Sequence, residues 1–497
     1  MKILNEMIAK AMMKASLLVL ALVLTAGVQA KVVYVNAEAG ATGDGSTWAM
    51  AYNDLQSALD EANEADSDVT EIWVAQGMYY PSVVPRDVTI TGRSEMPIDN
   101  AFTLVKDVKI YGGFPKTGDP GMEDRVMPNL TDLTQNSVLS GDIDKDGTMA
   151  NNSLNVVMSI SDVGSACVDG FMICGGRAIG SDQGYDGVTY RFDGDMTVWP
   201  DDGAGVQLVN SSPALSNLII CDNEAWSGAG IFMTGCIYPG GVETTASVIP
   251  APKLTNVLFT RNYSVAHGTA LKSRDTNAII TNCTFTNNGM TAEEMADHPS
   301  DRRAVLAFDG PSSSVEPVFN NCIVYGDSRD EFSGATLVIM ASITPAINHS
   351  LVYDVTEDGN DNYGKNNIEG STDPLFTDDY KLSDNSPCIN KGSNSIYNGD
   401  DKDLAGNTRI VGGTIDMGAY ESQSTTSIDD VDAVKSTISS ENGYLRIELE
   451  QPSFVKIYNG LGQLVTQKNI TGIDNISLEK GIYIVNIDGA STKVAVK

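Results

Sequence analysis

The 497-residue chain carries 65 acidic against 32 basic side chains, a formal charge of -33. Such a chain repels nucleic acid and anionic membrane surfaces, so neither is expected as a partner; divalent cations and basic protein surfaces are compatible. The length accommodates two or three domains, or one elongated domain with appendages.

In chain order, Lys2, Lys10 and Lys14 precede the apolar stretch "ASLLVLALVLTAGVQA", which ends in small residues at Ala30. That pattern predicts a secretory signal peptide over residues 1–30, with Met13 as an alternative start. Its apolar core is too short for a membrane span, and no other segment is apolar enough. No Cys follows the cleavage point, which argues against a lipid anchor. The mature chain is expected to be exported, without a transmembrane segment.

Residues 31–160 mix short apolar runs with turns. "DLQSALDEANEA" at 54–65 is the one amphipathic helix, with Leu55, Leu59 and Ala62 on one stripe. Further on, "DIDKDG" sets Asp142, Asp144 and Asp146 at alternate positions before Gly147. Alternating carboxylates before a Gly turn make a candidate Ca²⁺ loop. Ser153 stands where an EF-hand has Glu, and a solvated acidic turn is the alternative.

From residue 161 a repeat dominates. A Pro-x-x-x-Asn step or a near variant leads into a short apolar run at Asn217, Asn256, Asn282 and Asn321, and more loosely at His349. Six positions later stand Asn223, Asn262, Asn288 and Asp327. A unit of about 22–28 residues, sometimes lengthened by insertion, is a solenoid period. Each unit is rich in Ile, Val, Leu, Phe and Thr and bounded by Gly, Asn, Asp and Pro, which predicts a parallel β-helix. Asn residues at one coil position can stack as an amide ladder, each donating to the next; a ligand-binding role is the alternative.

Coils such as "SSPALSNLIICDNEAWSGAGI" resemble right-handed parallel β-helix proteins of the broad pectin-lyase-like group, and within it exported proteins of Bacteroidota type. "YVNAEAGATGDGSTWAMAYNDLQSAL", "EIWVAQGMYYP", "FTLVKDVKIYGGF" and "VLSGDIDKDG" are similar to their N-terminal capping region. "DPLFTDDYKLSDNSPCINKG" with "DLAGNTRIVGGTIDMGAYE" resembles the choice-of-anchor-Q segment that closes such helices. The resemblance implies a cap and first coils over 31–160 and a β-helix with closing segment over 161–421. A helix at the open end would cover unpaired strand edges and exposed core.

Seven cysteines is an odd number. Cys283 and Cys322 share one repeat position, and Cys174 and Cys221 share another. Stacked positions lie about 4.8 Å apart, within reach of a disulfide, but buried thiols used for packing are the preferred reading.

Two insertions, 177–202 and 289–303, flank coils whose corresponding corners are short ("EAWS", "YSVAH"). If the coils stack in order, the insertions wall a groove with the short turns as its floor. Tyr185, Tyr190, Trp199 and Trp226 would offer faces to sugar rings, Arg302 and Arg303 an anion clamp, and Asp186, Asp193, Asp201 and Asp202 carboxylates. His267, Lys272, Arg274, Asp201 and Asp202 are the candidate catalytic groups. A lyase needs a Lys or Arg base and a means of neutralising the uronate; "ALKSRD" supplies the first without an acidic metal cluster. A hydrolase needs paired carboxylates, of which Asp201-Asp202 and His267-Gly268 are only a partial echo. No catalytic motif is intact.

After Glu421 a polar linker spans 422–440. From 441 to 497 alternation with turns at Asn459-Gly460 and Glu479-Lys480-Gly481 predicts a small Ig-like β-sandwich. "VKIYNGLGQLV" and "GIYIVNIDGASTKVAVK" resemble the type A C-terminal sorting domain of the type IX secretion system, which implies that machinery as a partner; an ordinary Ig-like binding module is the alternative. The expected protein is an exported cell-surface or secreted β-helix, a non-catalytic carbohydrate-binding or adhesin-like scaffold meeting a polysaccharide or a host or neighbour surface. A polysaccharide lyase or glycoside hydrolase acting on acidic glycans through a divergent site is the second expectation. No cofactor is demanded, with Ca²⁺ at the acidic loop as the one candidate.

Overall fold

The computed structural model describes residues 31–496 apart from 180–187, 193–195, 238–243, 290–304, 313, 327–336, 340–342, 353–363, 398, 400, 425–435, 442–443, 461–462 and 488–489. The signal peptide expected at 1–30 and Asp327 lie outside the described residues. The chain divides into two compact units on either side of residue 425.

The first unit is a right-handed parallel β-helix, the hand that parallel crossovers adopt. Strands Ala214–Cys221 and Lys253–Thr260 show how one coil is built. Their first halves pair in one parallel ladder and their second halves in another, with a bend at Asn217 and Asn256. These residues, with Asn282 and Asn321, sit at φ of 53°, 54°, 51° and 54°, and His349 takes the same bend at 49°. Asn tolerates this left-handed conformation better than any branched residue, so the bend itself selects Asn at the repeat position.

The side chains then stack. Asn256 Nδ2 donates to Asn217 Oδ1 at 3.1 Å and Asn321 Nδ2 to Asn282 Oδ1 at 3.0 Å. The second column is continuous and fully buried: Asn223 Nδ2 donates to Asn262 Oδ1, and Asn262 Nδ2 to Asn288 Oδ1, both at 3.0 Å. The ladder expected from the repeat is therefore present. Asn262→Leu takes one partner each from the Asn223 amide, the Asn288 carbonyl and the Ile220 carbonyl; the first keeps the Cys221 carbonyl and the second the backbone N–H of residue 262, and each buried group left short costs about 1–3 kcal/mol. The expected result is a loss of about 2–4 kcal/mol in denaturant unfolding of the solenoid.

After the second Asn column the chain makes a short third ladder, Arg177–Ala178, Glu224–Ala225 and Tyr263–Ser264. A glycine turn leads into a fourth, seven-stranded parallel ladder that includes Val206–Val209, Ile231–Thr234, Leu271–Arg274 and Leu306–Asp309. Inward side chains of the first, second and fourth ladders merge into one continuous core that includes the Phe259–Phe285 stack, 4.6 Å between ring centroids. The predicted helix is Leu55–Ala62, capped by the Asp54 carboxylate accepting from Ser57 N at 2.8 Å. Leu55, Ala58, Leu59 and Ala62 join Val33 and Val35 in that core, so the helix covers its N-terminal end.

The closing segment does more than end the helix. Leu382, Cys388 and Met417 pack on Ile323 and Leu351. Leu404, Ala419 and Tyr420 pack on Met172, Ile219 and Leu258, several coils earlier. It runs back along the outer face of the second ladder as a strap and is tied to the Asn bends. Asn256 donates to the Lys402 carbonyl, Asn282 to those of Asp416 and Gly418, and Asn321 to that of Ser393.

The second unit is an antiparallel five-stranded structure from Ser436–Glu441 to Ala490–Val496. Its long strand Tyr444–Asn459 pairs with Ser436–Glu441 in its first half and Gly481–Ile487 in its second, with a register break between Leu449 and Ser453. One strand thus serves both layers of a sandwich around Leu445, Ile447, Val455, Ile457 and Val485.

Candidate functional site

Three consecutive coils enter the fourth ladder through the same turn. Gly203, Gly228 and Gly268 adopt φ of 73°, 61° and 71°. Gly203 N donates to the Ser227 carbonyl at 3.0 Å and Gly228 N to the His267 carbonyl at 3.1 Å. The glycines therefore stack, and so do the residues before them: Asp202, Ser227 and His267. A Cβ at these glycines would approach Phe232 or Lys272 Cβ within 3.0 Å, so the turn must be glycine for the rung to pass this close to the sheet.

Facing this column from the sheet are outward side chains of the fourth ladder. Lys272 is nearly buried; its Nζ donates to Ser227 Oγ at 3.2 Å, lies 3.8 Å from an Asp309 carboxylate oxygen and sits 5.7 Å from the Phe232 ring centre. Arg274 Nε lies 3.7 Å from the same carboxylate. Asp202 is partly buried; loss of hydration pushes its carboxyl up to about 7 despite the opposing pull of Lys272 and the Ser227 hydroxyl, and Asp201 and Asp309 push it further. His267 is partly buried, and its Nδ1 has no hydrogen-bond partner among the described residues. The cluster thus joins a carboxyl that titrates near neutrality, a hydroxyl, two cations and an imidazole. Such groups can orient hydroxyls and carboxylates of a ligand or move a proton.

Of the expected catalytic residues, Asp202, Lys272 and Arg274 converge here, and His267 shares their column. Asp201 contributes its carbonyl, which accepts from Trp226 N at 2.8 Å. Trp199 and Trp226 are 40% and 48% exposed and flank Asp202 in sequence and across the Asp202–Ser227 bridge. The Trp199 carbonyl accepts from Gln207 Nε2 at 2.8 Å, which ties the loop to the sheet.

Tyr190 is a correction. The first insertion does not stand free as a wall: its hairpin Thr189–Phe192 with Met196–Val198 pairs onto Thr89–Thr91. Tyr190 is 1% exposed, packs with Met158, Phe192, Val198 and Val209, and donates its hydroxyl to Asp99 at 3.0 Å. Asp99 is itself clamped by Arg93 at 2.6 and 2.7 Å. A ring held this way anchors the loop and cannot stack on a sugar. The short corners divide: Glu224–Ala225 and Tyr263–Ser264 are strands of the third ladder, while Trp226, Ser227 and His267 follow them into the glycine turn. Tyr185, Asp186, Asp193, Arg302 and Arg303 lie outside the described residues.

Ser227 and Asp309 were not among the expected residues. A signal for Ser227 existed, since Asp202-Gly-Ala-Gly and Ser227-Gly-Ala-Gly repeat the same word one coil apart. Asp309 carries no such mark; only strand register brings it beside Lys272 and Arg274.

At the acidic loop, one ligand atom each of Asp142, Asp144 and Asp146 lies within 4.8 Å of the others. An all-oxygen donor set suits a hard cation. Both Asp142 oxygens already accept from backbone amides, of Asp146 and Gly147 at 3.1 Å, and Ser153 is fully buried and cannot serve as the closing ligand. The loop is thus held by its own hydrogen bonds.

Residues 441–497 match the family described as secretion system C-terminal sorting domain. The sorting tail marks the chain for the type IX secretion machinery and for the cell surface or the extracellular space. Among solved structures, the pectin methylesterase from Aspergillus niger is similar over 69% of this chain and 87% of its own, at 14% identity and a TM-score of 0.26; nothing of its activity transfers at that similarity. No curated protein matches the chain. No helix among the described residues is long and apolar enough to cross a membrane.

Beyond the sorting tail, the site makes its own prediction. A carboxyl at about 7 in the folded chain and 3.8 when freely hydrated means that the folded state holds a proton between those values. The stability this contributes is fully present below about 4 and is lost as pH rises through about 7. Asp202→Asn is expected to flatten the fall of the melting temperature over that window, removing a slope of at most about 1.4 kcal/mol per pH unit. An unchanged slope would show that Asp202 is ionised throughout.

Proposed function

We propose that the protein is an exported, non-catalytic carbohydrate-binding scaffold whose binding face is the outer surface of the fourth ladder around Asp202, Ser227 and His267. The observation that carries this reading is the pair of half-exposed tryptophans, Trp199 and Trp226, beside a nearly buried polar cluster. Flat aromatic faces take the apolar side of a sugar ring, while Ser227, Lys272 and Arg274 meet its hydroxyl and carboxylate groups. The sorting tail supports a location where extracellular polysaccharides or neighbouring surfaces are the available ligands.

A lyase or hydrolase is the second reading, favoured by the Asp202 carboxyl near neutrality beside Lys272. The test incubates the full chain with a panel of acidic and neutral polysaccharides, with and without Ca²⁺, following both retention and shortened or unsaturated products. Retention without products is the expected result. Products would replace the scaffold reading by the enzymatic one, and the absence of both retention and products would remove carbohydrate from consideration.

A further inference from the structure

The four cysteines that share repeat positions are not equivalent in the structure. Cys283 and Cys322 point inward and are fully buried in the continuous core. Their thiols face each other and backbone carbonyls, Cys283 that of Thr281 (3.5 Å) and Cys322 that of Asn320 (3.2 Å), but full burial keeps an oxidant from either. Cys174 and Cys221 point outward, in the cluster beneath the strap. They are direct register partners on neighbouring parallel strands, in a column that continues to Ser140 on one side and Thr260 on the other. Neighbouring strands lie about 4.8 Å apart, inside the Cα separation of a disulfide. The two side chains face each other across the coils, and Cys174 is partly exposed at the rim.

We infer that Cys174 and Cys221 form a disulfide that staples adjacent coils once the chain leaves the cytoplasm, while Cys283 and Cys322 remain thiols. The sorting tail commits the chain to export, and exported chains cross an oxidising compartment. The chemistry is thiol–disulfide exchange with a protein or small-molecule disulfide as oxidant. The exposed Cys174 thiolate attacks one sulfur of that disulfide and displaces a thiolate. Cys221 then attacks the Cys174 sulfur and displaces the second. The two protein thiol protons end, by way of solvent, on the two displaced thiolates, so one S–S bond forms in the protein, one breaks in the oxidant, and the oxidant leaves as two thiols. Contact with the Cys174 thiol and burial push the Cys221 thiol well up; the first cause ends once Cys174 is tied into the mixed disulfide, and Arg261, held by Asp222 at 2.7 Å, opposes part of the second.

The test alkylates the full chain, recovered from an oxidising bacterial periplasm, under denaturing conditions without reductant. Five of its seven cysteines are expected to react, and all seven after reduction. Peptide mapping is expected to join the Cys174 and Cys221 segments. Cys174→Ser and Cys221→Ser should each leave six reactive thiols, whereas Cys283→Ser should leave four. Seven reactive thiols in the unreduced protein, even after incubation with oxidised glutathione, would overturn the inference. So would a bond mapped to Cys283–Cys322 or between two chains.

Discussion

Arg409→Met is expected to lower the stability of the solenoid by about 3–5 kcal/mol, the cost of removing one partner from a buried ionic network. Arg409 is fully buried in the strap, where its guanidinium donates to the carbonyls of Ala419 (3.0 Å), Asp416 (3.3 Å) and Gly418 (2.6 Å). Three acids share its surroundings: Asp403, Asp416 and Glu421, all 4% exposed or less. Their oxygens accept backbone amides at 2.6–3.1 Å, so the hydrogen bonds survive the substitution but the buried cation among them does not. Burial and the Asp416 carboxylate already push Glu421 up to about 8. Without Arg409, Asp403 and Asp416 must take up protons as well or let in water, and the strap should loosen from Met172, Ile219 and Leu258. Thermal melting and proteolytic cleavage within 373–421 measure both. A melting temperature within about 2 °C of the parent would mean that the amides alone carry the acids.

Replacing both tryptophans, Trp199→Ala with Trp226→Ala, is expected to weaken polysaccharide retention by tenfold to a hundredfold, at about 1–2 kcal/mol per aromatic contact. The melting temperature should hardly move, because both rings are half exposed and Trp226 is held through its backbone, its N donating to the carbonyls of Ala178 and Asp201. Ser227→Ala provides the complementary variant. It keeps the rings and removes the hydroxyl that Lys272 contacts, so binding should weaken for ligands that meet the polar cluster while the aromatic component persists. Unchanged retention in the double tryptophan variant would move the search for a ligand away from the fourth ladder.

The two predictions differ in how visible their residues are in the sequence. Trp199 and Trp226 can be named as candidates from residue type and from their place beside an insertion. Arg409 cannot, because an arginine in a polar, glycine-rich segment reads as surface. Its burial follows from the strap doubling back over the solenoid, a contact between residues more than a hundred positions apart. The same holds for Tyr190, which residue type places in a groove and packing places in a core.

What the sequence by itself determined is everything that depends on the period. The recurring Asn, the short branched runs and the glycine turns dictate a parallel β-helix, because each coil meets only its neighbours and local rules repeat. The Asn columns, the capping helix and the sorting tail follow from the same local patterns. Only the tertiary structure decided what depends on register and on segments that leave the solenoid. It turns Cys174 and Cys221 to the outer face, brings Asp309 to Lys272, aligns Asp202 with Ser227 and His267, and lays the strap along the second ladder. A one-residue shift along any strand would turn each of those side chains to the other face, and neither composition nor spacing specifies register to that degree.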